Sequence, residues 1–243
     1  MIRKLIQKTA NKLGYRISRV TLSEKEPLSE IHRLCRDIER PIIFDVGAHH
    51  GHLSLSFRSL FPKATIYAFE PFPKSFERLK ENTSTDPLIK TFNFGLSDTS
   101  GQLTFNSNVA SVTNSLLETD TRGEETWGDG VLNTKEKIIA QFTTLDSFVR
   151  EMSIPRIDIL KLDVQGAEYM VLRGGRDFLS RSNVTLVYSE IITQPTYNGQ
   201  LLFHESLADF YSHGFIVHNI YNISLKTDGR LRQLEVIFVL KDK

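Results

Sequence analysis

The chain has 243 residues and a near balance of charge, 30 Lys+Arg against 29 Asp+Glu, for a formal net charge of +1. With 40% hydrophobic and 24% charged residues it has ordinary soluble globular usage, enough for one substantial core and short for two full domains. The charge balance excludes a dedicated nucleic-acid binder, the apolar runs are too short to span a bilayer, and a single cysteine, Cys35, excludes a disulfide framework and points to a reducing, cytoplasmic setting.

Residues 1–20 hold Arg3, Lys4, Lys8, Lys12, Arg16 and Arg19 and no acid, a local charge of +6 that leaves −5 for the remainder. Ile2, Leu5, Ile6 and Leu13 fall beside them at helical spacing, so residues 1–40 read as a basic amphipathic helical extension before a main domain at 41–243. Such a helix suits an anionic membrane surface, touched peripherally, or packing on its own domain or a partner subunit. It lacks the apolar core and cleavage site of a secretory signal. The composition leaves the oligomeric state open.

A second helix spans about Leu28–Ile38 and is stopped by Pro41. Strand Ile42–Val46, helix about Gly51–Phe61, strand Thr65–Phe69, helix about Pro73–Asn82 and strand about Ile89–Phe94 follow. The alternation resumes with helix Leu145–Met152, strand Ile157–Leu162, helix about Ala167–Leu179 and strand Val184–Ile191. A helix near His204–His213 and strands Phe215–Ile220 and Leu234–Leu240 close the chain, the last two paired antiparallel through Asp228-Gly229-Arg230. Strands alternating with helices build parallel βαβ units in a doubly wound sheet.

Residues 96–137 interrupt this rhythm with a short strand, Gly101–Phe105, and a polar run that holds the only tryptophan, Trp127. Long excursions in compact domains are functional covers or loose segments. The polarity and the amphipathic indole suit a lid over an acceptor molecule, with Trp127 stacked on it, or else with Trp127 as a simple anchor.

The chemistry concentrates at strand ends. Asp45-Val46-Gly47-Ala48-His49-His50-Gly51 follows the first strand and opens a helix, the place where open parallel sheets bind ligands. Gly47 and Gly51 permit tight turning and close backbone approach. The second strand ends in Glu70 and Pro71, and a carboxylate there can accept both hydroxyls of a ribose. A dinucleotide turn needs Gly-x-Gly-x-x-Gly for its pyrophosphate, whereas this one places an acid first and histidines where small residues belong. An acidic lead suits a cationic ligand, and S-adenosylmethionine carries a sulfonium, an ammonium, a ribose and an adenine. Asp163 ends another strand, and Ser97-Asp98 offer a hydroxyl and a carboxylate to an adenine edge.

These segments resemble the FkbM family of S-adenosylmethionine-dependent methyltransferases over about residues 40–240. The matching blocks are Phe44-Asp45-Val46-Gly47-Ala48 with Gly51, Ala68-Phe69-Glu70-Pro71 with Pro73, Leu79 and Asn82, Leu96-Ser97-Asp98 with Gly101, and Thr144-Leu145-Asp146. Lys161-Leu162-Asp163-Val164-Gln165-Gly166-Ala167-Glu168 through Leu172, Gly174 and Gly175 completes them. The resemblance implies a class I, Rossmann-like α/β fold with a seven-stranded, mostly parallel sheet and an antiparallel C-terminal hairpin. It also implies O-methylation of a sugar, glycoconjugate or hydroxylated natural product. His49 stands where the family commonly has Asn, and Gln165 where Glu is common.

Methyl transfer asks the protein to align oxygen, carbon and sulfur and to take up the hydroxyl proton. Asp163 is the first candidate base, Glu190 the second and His49 the third. Asp45, Gly47, His49, Gly51, Glu70, Pro71, Ser97, Asp98 and Asp163 are expected at the donor, and Trp127, Gln165 and Glu168 at the acceptor. Glu168 also suits the first turn of a helix through the helix dipole. Carboxylates are available for magnesium, but no ligand spacing requires it. His49, His50 and His52 lie too close along one turn to aim at a single zinc or iron. The competing readings are a Rossmann-type NAD(P)-dependent oxidoreductase and a non-catalytic glycan-binding or membrane-surface module.

Overall fold

A computed structural model of the chain describes residues 26–241. The basic helix expected within residues 1–20 lies outside them. Helix α1 (Pro27–Cys35) precedes β1 (Ile42–Val46), α2 (His52–Leu60), β2 (Thr65–Phe69), α3 (Pro73–Thr83) and β3 (Ile89–Phe92). The second half contributes α5 (Leu145–Glu151), β7 (Ile157–Leu162), α6 (Glu168–Gly174), α7 (Arg176–Ser180), β8 (Val184–Ile192), α8 (Phe203–Ser212), β9 (Phe215–Leu225) and β10 (Leu231–Leu240). Between the halves lie β4 (Gly95–Leu96), β5 (Gly101–Asn108), α4 (Glu124–Trp127) and β6 (Thr134–Thr143).

Seven strands form one sheet in the order β3-β2-β1-β7-β8-β10-β9, with β10 antiparallel to both of its neighbours. Alternate residues face opposite layers, because side chains in a strand alternate across the sheet. Phe44, Leu160, Val187 and Phe238 face α5, α6, α7 and α8 through Phe148, Leu172, Phe178 and Phe210. Ile43, Ile66, Ile159 and Ile237 face α1, α2 and α3 through Ile31, Phe57 and Leu79. The result is a three-layer α/β sandwich with the seven-stranded, mostly parallel sheet and antiparallel C-terminal hairpin that the resemblance implies. Residues 27–35 belong to that sandwich: Ile31 and Cys35 are fully buried, and Glu30 meets the His218 ring of β9 at 2.7 Å.

Helix 167–179 of the sequence reading is two helices, broken at Gly174-Gly175. A β-carbon on Gly174 would stand 2.0 Å from the Ser97 carbonyl oxygen, so the strap after β4 presses directly on the backbone there. The larger difference is in residues 96–137. The short strand extends to Asn108 and pairs antiparallel with β6, which pairs in turn with β4, giving a separate three-stranded sheet. Phe105, Ala140 and Phe142 supply its buried apolar face, against Phe72. The excursion is a built subdomain.

Strand order reverses between β1 and β7, with β2 and β3 to one side and β8, β10 and β9 to the other. Ligands of open α/β sheets bind beyond the strand carboxyl ends at such a switch point. The turns after β1 and β7 meet there.

Candidate active site

A cavity with about 790 Å³ of empty space, its mouth included, lies over the ends of β1, β2 and β7 under the three-stranded sheet. Its lining includes Gly47, His49, Glu70, Pro71, Asp163 and Gln165 from the main sheet's turns, and Phe105, Ser111, Leu116 and Phe142 from the excursion. Gly47 has φ +79°, and a β-carbon on it would fall 1.9 Å from the Asp163 carbonyl oxygen. Only glycine lets these two turns close on each other.

Beneath the cavity, Lys161 and Asp45 form a buried pair, with Nζ 2.9 Å from Oδ1 and side-chain exposures of 6% and 0%. Lys161 also donates to the Gly47 carbonyl at 2.7 Å and lies 3.7 Å from Asp163. Asp45 takes a second contact from the Ser54 hydroxyl at 2.6 Å. Burial opposes the lysine charge, but Asp45 and Asp163 outweigh it and hold its pKa above the usual value. Asp45 is therefore a strut under the turn and not part of the cavity wall. Lys161 was part of a recognised block, but its role under the turn was not read from the sequence. A lysine inside a run of apolar strand residues was the available signal.

Glu70, just after β2, lines the cavity and is 6% exposed. Its Oε2 accepts the His49 N–H at 2.8 Å and its Oε1 accepts the Phe72 N–H at 2.9 Å. Burial, partly offset by those two bonds, pushes its carboxyl up to about 7. Each oxygen keeps a further lone pair, since a carboxylate accepts about four bonds. Pro71, Leu96, Phe105 and Phe142 add apolar wall to the cavity.

Across β1 from Glu70, at the end of β7, Asp163 lines the cavity with a side chain that is 40% exposed. Its Oδ1 accepts from the Gln165 amide at 2.8 Å. The same amide nitrogen donates to Glu190 Oε2 at 2.8 Å, and Gln233 donates to Glu190 Oε1 at 2.7 Å. Glu190 stands behind Gln165, outside the cavity wall, with its carboxyl held well above the usual range by burial and then by Asp163. Glu168 accepts the Val164 and Gly166 N–H groups at 3.0 and 3.3 Å, closing the turn at the head of α6, and burial raises it to about 7.

His49 lies in the wall at φ +48°, with Nε2 2.9 Å from the Ser111 hydroxyl of the excursion. Burial, followed by neighbouring His50, lowers it to about 4, so its ring is neutral near pH 7. The His49 and His50 rings stack at 3.7 Å. No group of three or more His, Cys, Asp or Glu among the described residues is arranged to hold a metal ion.

Besides Asp45, Glu168 and Glu190, four more expected site residues lie outside the cavity lining. Gly51, at φ +82°, packs on Leu79 at the start of α2. Ser97 is fully buried under α6, and Asp98 is exposed beside it. Trp127 packs with Leu132, Ile192 and Tyr197, its indole N–H donating to the Thr196 hydroxyl at 2.9 Å and its ring covered by Arg232. In that place it anchors the excursion to the loop after β8. Conversely, Leu96, Phe105, Ser111, Asn114, Leu116 and Phe142 line the cavity and were not read as site residues. The excursion thus shares the lining of one cavity with both Glu70 and Gln165, which a cover for the acceptor alone does not describe.

A family model described as the methyltransferase FkbM domain matches residues 45–217, from the Asp45 strut into β9. The 2-O-methyltransferase NoeI of Sinorhizobium fredii is 29% identical, with 66% of this chain and 67% of that protein aligned. The hexuronic acid methyltransferase AglP of Haloferax volcanii is 27% identical over 61% of this chain and 56% of its own length. The 31-O-demethyl-FK506 methyltransferase FkbM of Streptomyces tacrolimicus is 29% identical over 56% and 60%. The chain therefore spans about two thirds or less of the length of these relatives. With the matched region running through both turns of the switch point, the chain belongs to the FkbM methyltransferase family.

Proposed function

We propose that the chain is an S-adenosylmethionine-dependent O-methyltransferase acting on a hydroxyl of a sugar, a glycoconjugate or a hydroxylated natural product. The observation that carries this reading is one cavity lined by both the buried Glu70 carboxylate, after β2, and the half-exposed Asp163 carboxylate, after β7, on either side of β1. The family assignment supports methyl transfer over the nicotinamide-dependent alternative, and relatives named for 2-O and 31-O methylation support an oxygen acceptor.

The residues fit the donor. Glu70 has lone pairs free for two ribose hydroxyls after accepting its two backbone N–H groups. Pro71, Leu96, Phe105 and Phe142 offer a dry wall for an adenine ring. When bound, S-adenosylmethionine supplies an activated methyl group on a sulfonium. A neutral His49 in the wall adds no charge to oppose that cation. The His49 Nε2 is engaged by the Ser111 hydroxyl, and Glu190 lies outside the cavity wall. Asp163 is left as the group that accepts the proton of the attacking hydroxyl, steadied by the Gln165 amide. The excursion is joined to His49 through Ser111 and to the Gln165 carbonyl through the Ser115 hydroxyl at 2.8 Å, and so covers the cavity.

The test is incubation with methyl-labelled donor and a panel of sugar nucleotides, glycolipids and polyhydroxylated macrolides, with detection of label by mass. Transfer to an acceptor oxygen supports the reading. Tight donor binding with no transfer to any class would favour the non-catalytic module.

A further inference from the structure

We propose that Tyr197 is a positioning residue for the transfer step: its hydroxyl fixes the Gln165 amide, whose nitrogen end then holds Asp163 in the cavity. The inference rests on the assignment of Asp163 as proton acceptor.

An amide side chain has a donor end and an acceptor end, and its orientation follows from its partners. The Gln165 nitrogen lies 2.8 Å from both Asp163 Oδ1 and Glu190 Oε2. Reversed, the amide would set its own oxygen against the Asp163 carboxylate, two acceptors with no proton between them. The Tyr197 hydroxyl is 3.1 Å from Gln165 Oε1 and 2.9 Å from the Thr113 carbonyl, two acceptors that share its single proton. Burial, then Glu190, holds the phenol well above its ordinary pKa, so it remains a donor.

Tyr197 is itself held. It is 2% exposed, its ring packs with Leu132 and Ile192, and its own N–H donates to Gln200 Oε1 at 2.8 Å. Gln165 is gripped a second time at its backbone, where a left-handed φ of +55° turns its carbonyl toward the Ser115 hydroxyl. The excursion supplies Thr113 and Ser115, the loop after β8 supplies Tyr197, and the turn after β7 supplies Gln165 and Asp163. One hydroxyl therefore links three segments to the direction in which Asp163 points.

Tyr197→Phe keeps the ring and deletes only the hydroxyl. The first readout needs no acceptor: the Gln165 side-chain amide signals in a nitrogen–proton correlation spectrum, assigned by their loss in Gln165→Ala. In the wild type they are expected as two separated, exchange-protected protons, and in Tyr197→Phe they should move to exposed-glutamine positions. The second is turnover with the acceptor found by labelled transfer. Loss of one ordinary hydrogen bond predicts a kcat lower by roughly fivefold in Tyr197→Phe, with S-adenosylhomocysteine affinity unchanged. In a Gln165→Ala background the same substitution should add nothing, since the two act as one unit. Unmoved amide signals, or an equal effect of Tyr197→Phe with and without Gln165, would overturn the proposal. A failure to find any transfer would count against the O-methyltransferase reading alone, and the amide signals would still decide the role of Tyr197.

Discussion

The His49 backbone N–H donates to Glu70 Oε2 across 2.8 Å, so a single carboxylate ties the turn after β1 to the end of β2. That carboxylate is buried, and burial raises it to about 7. Two consequences have opposite experimental signs. Ribose hydroxyls bind the ionised form, so donor affinity should fall by roughly tenfold between about pH 8 and about pH 6, as an acid with a midpoint near 7 becomes protonated. In the free protein the folded pKa lies above the unfolded value of 4.5. The Glu70 contribution to stability is therefore complete below that value and is lost as pH rises through about 7. Glu70→Gln should flatten both dependences, which calorimetry and denaturant unfolding across this range will show.

Lys161 and Asp45 are a buried pair whose members depend on each other. Removing one leaves an uncompensated buried charge, so Lys161→Met should destabilise the fold by about 3–5 kcal/mol. Asp45→Asn combined with Lys161→Met should recover a substantial part of that loss. Denaturant midpoints of the two single variants and the double variant measure it, and simple additivity would contradict the pairing.

Asp163→Asn preserves shape and removes the basic oxygen. Turnover should fall by roughly 10²–10⁴, the span of a general base, while S-adenosylhomocysteine affinity changes far less. Near-normal turnover in a folded variant would move proton acceptance to another group.

Phe142 and Trp127 both belong to the excursion's reach but touch different things. Phe142→Ala opens the cavity wall beside Leu96 and Phe105 and should weaken donor binding. Trp127→Ala loosens the anchor on Thr196 and Tyr197, and should lower the melting temperature with a smaller effect on the donor. Paired melting and binding curves separate the two roles.

The main sheet was legible because its strands are continuous apolar runs between punctuating turns. Ile42–Val46, Thr65–Phe69 and Ile157–Leu162 occupy the expected residues. Strand β6 was not, since Thr134–Lys137 are polar or charged and exposed, and only Ala140 and Phe142 turn inward. Without β6 the excursion reads as loop, and the apolar wall built from Phe105 and Phe142 cannot be seen. Ser97 and Asp98 follow a strand as a donor contact would, yet the close approach of Gly174 places Ser97 under α6, with Asp98 exposed beside it. Gln165 was named from its motif, but its tie to Tyr197, 32 positions away, exists only once the turns after β7 and β8 meet.

The central claim is that the cavity over β1, β2 and β7 holds the methyl donor through Glu70. Titration calorimetry of S-adenosylmethionine into the wild type and Glu70→Ala, with circular dichroism confirming the fold, tests it most directly. The expected result is one-site binding weakened at least about tenfold by the substitution, from the loss of charge-assisted hydrogen bonds worth about 1.5–3 kcal/mol each. Equal affinity in a folded Glu70→Ala protein, or no donor binding by the wild type, would contradict it.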